Sequence, residues 1–430
     1  MKRIYLLLIS FLCALTLQAQ DNSQAILKVG NWEEYIDEDL IGEFEQWYKQ
    51  QTGKEVKVEY TTYDFPEQDV EEIIAGKKYY DAFCPPEYLV ERMLRRQLLQ
   101  KIDTSFTEKG IPNWTNCTSV FVDSIMQLIG NTNGVNTKDY AIGYIWGNTG
   151  VLINTSYVQP EEVQSWGFLL NSKFRNKVIM KDSFSDIFNL LINYGCYKEI
   201  KEGFITRNQL ASHATNENIE LYENLLKKSR PQMLAFGVED DKEMMLDGKH
   251  WMSVTWNGDA KWVMDSVAKD VKLQYIVPQE GSGCWVDCWV IPTCAKNIEA
   301  ANYWINFISK PEHALRTMDV SGYSSAIGTS EILEAITDET LPETVDLSYF
   351  FGPEATAVHV DGTMYPDLKV IRHCGLLRDT GERQQEIREI WEKTKQMTVV
   401  SPWVYIAVGA AVLILLLAAV IVRFVKKKKH

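Results

Sequence analysis

Four short clusters place an aromatic ring beside a carboxylate. Asn31-Trp32-Glu33-Glu34-Tyr35 follows an apolar segment, Ile26 to Val29, and Trp256-Asn257-Gly258-Asp259 follows a second. Trp285-Val286-Asp287 opens a third, and Asp182 and Asp186 flank the start of a helical pattern after Met180. Side chains alternate along a strand, so Trp285 and Asp287 share one face. Rings beside carboxylates suit an organic ammonium group. The ring supplies cation–π attraction and covers methylenes, and the carboxylate accepts charge-assisted hydrogen bonds from –NH₃⁺. Each cluster alone also has a plainer reading, as a core tryptophan or an aspartate capping a helix. Their shared position at strand ends favours binding.

Chemical turnover has no comparable signal. The histidines, His213, His250, His313, His359, His373 and His430, are scattered. There is no HExxH, P-loop or GxSxG elbow. Cys284, Cys288 and Cys294 lack zinc-ligand spacing. No catalytic residue, metal or cofactor is therefore expected. The eight cysteines contain no CxxC, and the seven after Cys13 are expected mainly as buried thiols.

The elements that must position these clusters follow from periodicity. Strand-like segments lie at 26–29, 56–60, 82–84, 141–144, 150–154, 178–180 and 252–256. Between them the pattern predicts helices, the clearest at 38–52, 183–193, 215–229 and 296–309. The alternation predicts an α/β protein with largely parallel sheets in two lobes and a ligand cleft between them. The expected division is 25–139 with 284–332 in lobe 1, and 140–283 with 333–397 in lobe 2.

The chain has 430 residues, 58 acidic against 44 basic, and a formal charge of −14. Basic residues gather at both ends, so the middle is more acidic still. Such a body lacks the basic footprint of a nucleic-acid binder and attracts cations. Residues 1–19 read as a signal peptide, with Lys2 and Arg3 before an apolar run and Ala19 before the cut. Residues 403–422 carry no charge and are long enough for one transmembrane helix. Arg423 and Lys426 to Lys429 mark 423–430 as a basic cytoplasmic tail. The bulk of the chain is then expected on the periplasmic face, anchored in the inner membrane.

In these stretches the sequence resembles the spermidine/putrescine-binding proteins of bacterial ABC importers, which have the type II periplasmic-binding-protein fold. The resemblance runs through Gly30 to Tyr35, Tyr80 to Pro85, Tyr144 to Gly150, Thr255 to Gly258, Trp285 to Asp287, Ile305 to Ile308 and Gly322-Tyr323. It implies two lobes closing on a polyamine, putrescine or spermidine, and delivery to permease subunits with an associated ATPase. Carried over by position, Trp32, Tyr35, Tyr88 and Tyr323 match aromatic contacts, and Trp256 and Trp285 match the rings around the alkyl chain. Asp287 matches the principal carboxylate. The acidic pair of the spermidine binders falls on Ser183 and Asp186. Glu33 stands where the family has a hydroxyl residue, and Pro86 and Leu377 also depart from its pattern. Asp259 resembles the aspartate by which putrescine binders take an amine, and it implies a preference for a diamine. The alternative role within the resemblance is a membrane-anchored sensor of polyamines or small cations, acting through a separate signalling partner.

Overall fold

The computed structural model describes residues 25–237 and 240–398. The signal-peptide, transmembrane and basic-tail readings fall outside them. Among the described residues no helix is long and apolar enough to cross a membrane.

Among the described residues twelve strands form the scaffold: β1 Ala25–Trp32, β2 Val56–Tyr63, β3 Ala82–Phe83, β4 Leu99–Gln100, β5 Ala141–Asn154, β6 Val178–Lys181, β7 Met233–Gly237, β8 Met252–Trp256, β9 Leu273–Ile276, β10 Gly283–Pro292, β11 Ser324–Ser325 and β12 Gly375–Leu376. Their principal order is β2-β1-β3-β10-β5-β8-β6-β7. The outer members pair in parallel, β1 with β2 and β3, and β6 with β7 and β8. The expectation of largely parallel sheets holds for these members and for the short β10–β12 pair, while β10 and β5 otherwise run antiparallel through the middle.

β5 belongs to both lobes. Its first half, to Asn148, pairs with β10, and from Thr149 it pairs with β8 and β9. All fourteen of its residues are buried. The sequence suggested two strands here, 141–144 and 150–154, but one strand runs unbroken through Gly143, Gly147 and Gly150. These glycines accommodate close approaches. A Cβ on Gly147 would lie 2.4 Å from Asn257 Oδ1 and 2.6 Å from the Trp285 ring.

Two main cores flank this strand. Leu27, Phe44, Phe83, Trp146, Trp289 and Trp304 fill the first. Val151, Trp166, Met180, Ile187 and Tyr222 fill the second. A smaller group, Leu152, Ile179, Met245, Ala260 and Val263, covers the opposite face of the second sheet, as strand alternation requires. The helix Asp39–Thr52 shows how such packing arises. Leu40, Phe44 and Tyr48, spaced by four, are its buried stripe, and Gly53 at φ +73° ends it. The sequence assigned 333–397 to the second lobe, but Val345, Leu347, Phe350, Tyr365 and Leu377 pack in the first core. Only the last helix, Gln384–Lys395, joins the second through Ile387, Ile390 and Trp391. The intervening segment has little regular structure, so periodicity carried no information about which core it would join.

Candidate ligand-binding site

A cleft of about 820 Å³, its open mouth included, lies between the two cores. The chain reaches it from the carboxyl ends of β1, β6 and β8 and from the middle of β10, where open α/β sheets place ligands. β1 ends in Trp32, and the following turn carries Glu33, Glu34 at φ +52°, and Tyr35. β8 ends in Trp256, and the helix Asn257–Ser266 begins at once, with Asp259 in its first turn. β6 ends in Lys181. Ser183 then caps the helix Phe184–Gly195 by accepting from the Asp186 N–H at 3.4 Å. Trp285 and Asp287, two apart on β10, both line the cleft as alternation predicts.

All eleven residues singled out in the sequence border this cleft: Trp32, Glu33, Tyr35, Tyr88, Ser183, Asp186, Trp256, Asp259, Trp285, Asp287 and Tyr323. Pro86 and Leu377 border it too. The aromatic groups touch one another across it. Trp32 and Trp256 meet edge to face at 5.9 Å, as do Trp256 and Trp285, while Tyr323 lies 5.2 Å from Tyr35 and 5.7 Å from Trp285.

The carboxylates differ in their company. Asp287 accepts from Trp32 Nε1 at 3.1 Å and from the Tyr35 hydroxyl at 2.7 Å. Burial pushes its carboxyl up to about 7; those two hydrogen bonds oppose the rise and nearby Asp186 adds to it. Asp186 accepts from Thr149, from Ser183 at 2.6 Å and from Trp256 Nε1 at 3.1 Å, and burial raises it as well. Among the described residues neither carboxylate forms an ion pair. Asp182, beside the departing Ser183, is committed elsewhere: Lys395 lies 2.7 Å away and Trp391 Nε1 donates at 2.6 Å.

Asp259 lies in the cleft but is already engaged. The sequence reading left it open to a ligand amine, but Lys181 Nζ already lies 2.5 Å from Oδ2, and the Tyr323 hydroxyl donates to Oδ1 at 2.7 Å. Lys242 Nζ stands 3.9 Å from Oδ1 and 2.8 Å from Glu34. Glu33 sits at the exposed rim. Sequence reasoning missed both lysines. It also missed Glu67, which is buried in the cleft wall and accepts from the Tyr88 hydroxyl at 2.5 Å. A lysine ending a strand and a glutamate in a first helical turn are ordinary surface features, so only the tertiary pairing marks them.

The arrangement engages its acids with ring N–H and hydroxyl donors. It is a slot with aromatic walls and buried acceptors, built to hold a molecule. The sequence profile of a family described as bacterial extracellular solute-binding protein matches residues 42–342. The chain belongs to that family. Its members capture solutes and do not convert them. Among similar solute-binding proteins, the spermidine/putrescine-binding periplasmic protein of Escherichia coli K12 is 27% identical over 382 residues, 88% of this chain and 93% of that one. A putrescine-binding periplasmic protein of Pseudomonas aeruginosa is 27% identical over 337 residues, 75% and 84% of the two chains. The solved structure of the spermidine/putrescine ABC transporter substrate-binding protein of Streptococcus pneumoniae superposes with a TM-score of 0.61. It is 24% identical and covers 86% of this chain and 99% of that one. A lipoprotein of Treponema pallidum gives 0.62 at 19% identity, covering 86% and 99%. The two-lobed α/β fold expected from the sequence is the fold of these solute-binding proteins.

Proposed function

We propose that this protein captures polyamines outside the cytoplasmic membrane and delivers them to the permease of an ABC importer. The observation that carries the reading is Asp287: a buried carboxylate with only neutral hydrogen-bond donors, walled by Trp32, Tyr35 and Trp285. An isolated buried carboxylate is costly. A protonated amine removes that cost, and the rings cover its methylenes. The names of the relatives point to the same solute class. Trp256, Tyr323, Tyr88, Ser183 and Asp186 complete the slot, with Glu33 at its mouth. Trp32 and Trp256 come from opposite lobes and touch, so entry of an alkyl chain requires the lobes to part. Closure then excludes water and strengthens the ammonium–carboxylate pairs. Residues 1–19 direct export, and 403–422 anchor the protein beside its permease, keeping local concentration high.

The test is calorimetric titration of the purified protein with putrescine, cadaverine, spermidine and spermine. At least one binds at micromolar concentration or below. Asp287→Ala weakens that binding about 30-fold or more, the counterpart of roughly 2 kcal/mol for truncating one member of a buried charged pair. Binding of none of the four overturns the reading.

A further inference from the structure

Asp259 already has what a bound amine would give it. Lys181, fully buried, brings an ammonium to 2.5 Å, and that ammonium lies 4.3 Å from the centre of the Trp256 ring. Lys242, also buried, brings a second charge to 3.9 Å and bridges to Glu34 of the opposite lobe at 2.8 Å. The phenol of Tyr323 completes the set. Carboxylate, ammonium, ring face and hydroxyl are the parts of an amine subsite, and here the chain supplies the amine. Asp287, Asp186 and Glu67 contrast with it, since among the described residues none of the three forms an ion pair. Glu67 and Asp186 both neighbour Tyr88, and they form a second locus beside Asp287.

We propose that Lys181 and Lys242 are specificity-determining residues whose ammonium groups fill the Asp259 end of the cleft, restricting it to diamines and rejecting triamines. The inference rests on the polyamine reading above. A diamine places one ammonium at Asp287 and the other on the Asp186–Glu67 side. A third ammonium directed at Asp259 meets two like charges there, and selectivity arises from repulsion of the wrong ligand. A free amine cannot readily displace the lysines, because a tethered group loses no translational freedom on binding and a free one does.

The test compares putrescine and spermidine by calorimetry on the full chain, on Lys181→Met, which keeps side-chain length without charge, and on Lys181→Met/Lys242→Met. The native protein binds putrescine at least tenfold more tightly than spermidine. Lys181→Met raises the spermidine-to-putrescine affinity ratio at least tenfold, and the double variant raises it further. Thermal unfolding reports whether each variant is folded. Should the buried substitution fail to fold, Lys242→Met alone carries the test and raises the ratio threefold or more. An unchanged ratio in folded variants, or a native preference for spermidine, overturns the inference and leaves the polyamine reading standing. A native protein that binds none of putrescine, cadaverine, spermidine and spermine overturns that reading, and the inference with it.

Discussion

Asp287 holds its proton more tightly in the folded protein than in the unfolded chain. Its carboxyl moves from an ordinary 3.8 to about 7, chiefly through burial. The sign of the consequence differs for the free and liganded protein. In the free protein the raised value favours folding fully below about pH 3.8, and that contribution is lost as pH rises through 7. An amine ligand, with an ordinary value near ~10, stays charged throughout and needs the carboxylate. Affinity should therefore rise about tenfold in all between pH 6 and pH 8, most of it below the Asp287 value. Asp186, raised in the same direction, reinforces the trend. Calorimetry at pH 6, 7 and 8 checks it, and a flat profile would remove Asp287 from the ammonium site. Replacement by Asn has a double expectation: weaker binding, and a free protein that no longer loses stability across this pH range.

At the scale of elements, β5 and its neighbours set the cleft's geometry through contacts that tolerate no extra atom. Asn257 Oδ1 accepts the Asn148 N–H at 2.9 Å, and its amide donates to the Thr363 carbonyl at 3.0 Å. Gly147→Ala would push a methyl against both Asn257 and Trp285. The expected cost is about 1–3 kcal/mol, as for other overpacked interiors, with weaker ligand binding. Gly42→Ala, on a helix surface with nothing nearby, should instead stabilise by about 0.5–1 kcal/mol. Denaturant unfolding of the two variants compares the same chemical change at two sites. A destabilisation no larger than that of surface variants would show that Gly147 is not closely packed. The same contacts explain what was legible in the sequence. The strand–helix series and the aromatic–acid clusters were readable because they are local: Leu40, Phe44 and Tyr48 announce a buried stripe, and Trp285 with Asp287 announce a shared face. The continuity of β5 was hidden because two of its glycines make sense only against partners distant in sequence, Asn257 and Trp285 at Gly147 and Tyr275 at Gly150. The Lys181–Asp259 pair, spanning 78 residues, was hidden for the same reason, and with it the compensation of one of the cleft's carboxylates.

At the scale of the whole molecule, a chain with a net charge of −14, its middle more acidic still, attracts cations. Polyamine association should therefore slow as salt is raised. The uncharged segment 403–422 makes a separate prediction. The full chain should sediment with membranes and resist extraction by high salt, while a chain ending at residue 400 should be released into the soluble extracytoplasmic fraction. Release of the full chain by salt alone would refute the anchor.

The position of β10 governs when the molecule can be assembled. It lies between β3 and β5 in space but comes at residues 283–292 in the chain. Until it is synthesised, β3 and β5 present unpaired edges and the first core lacks Trp285, Val286, Trp289 and Val290. A nascent chain therefore cannot complete its first lobe before more than two thirds of it has been made. Such late, non-local pairing slows folding, which would suit the export of an unfolded polypeptide that the proposed function calls for.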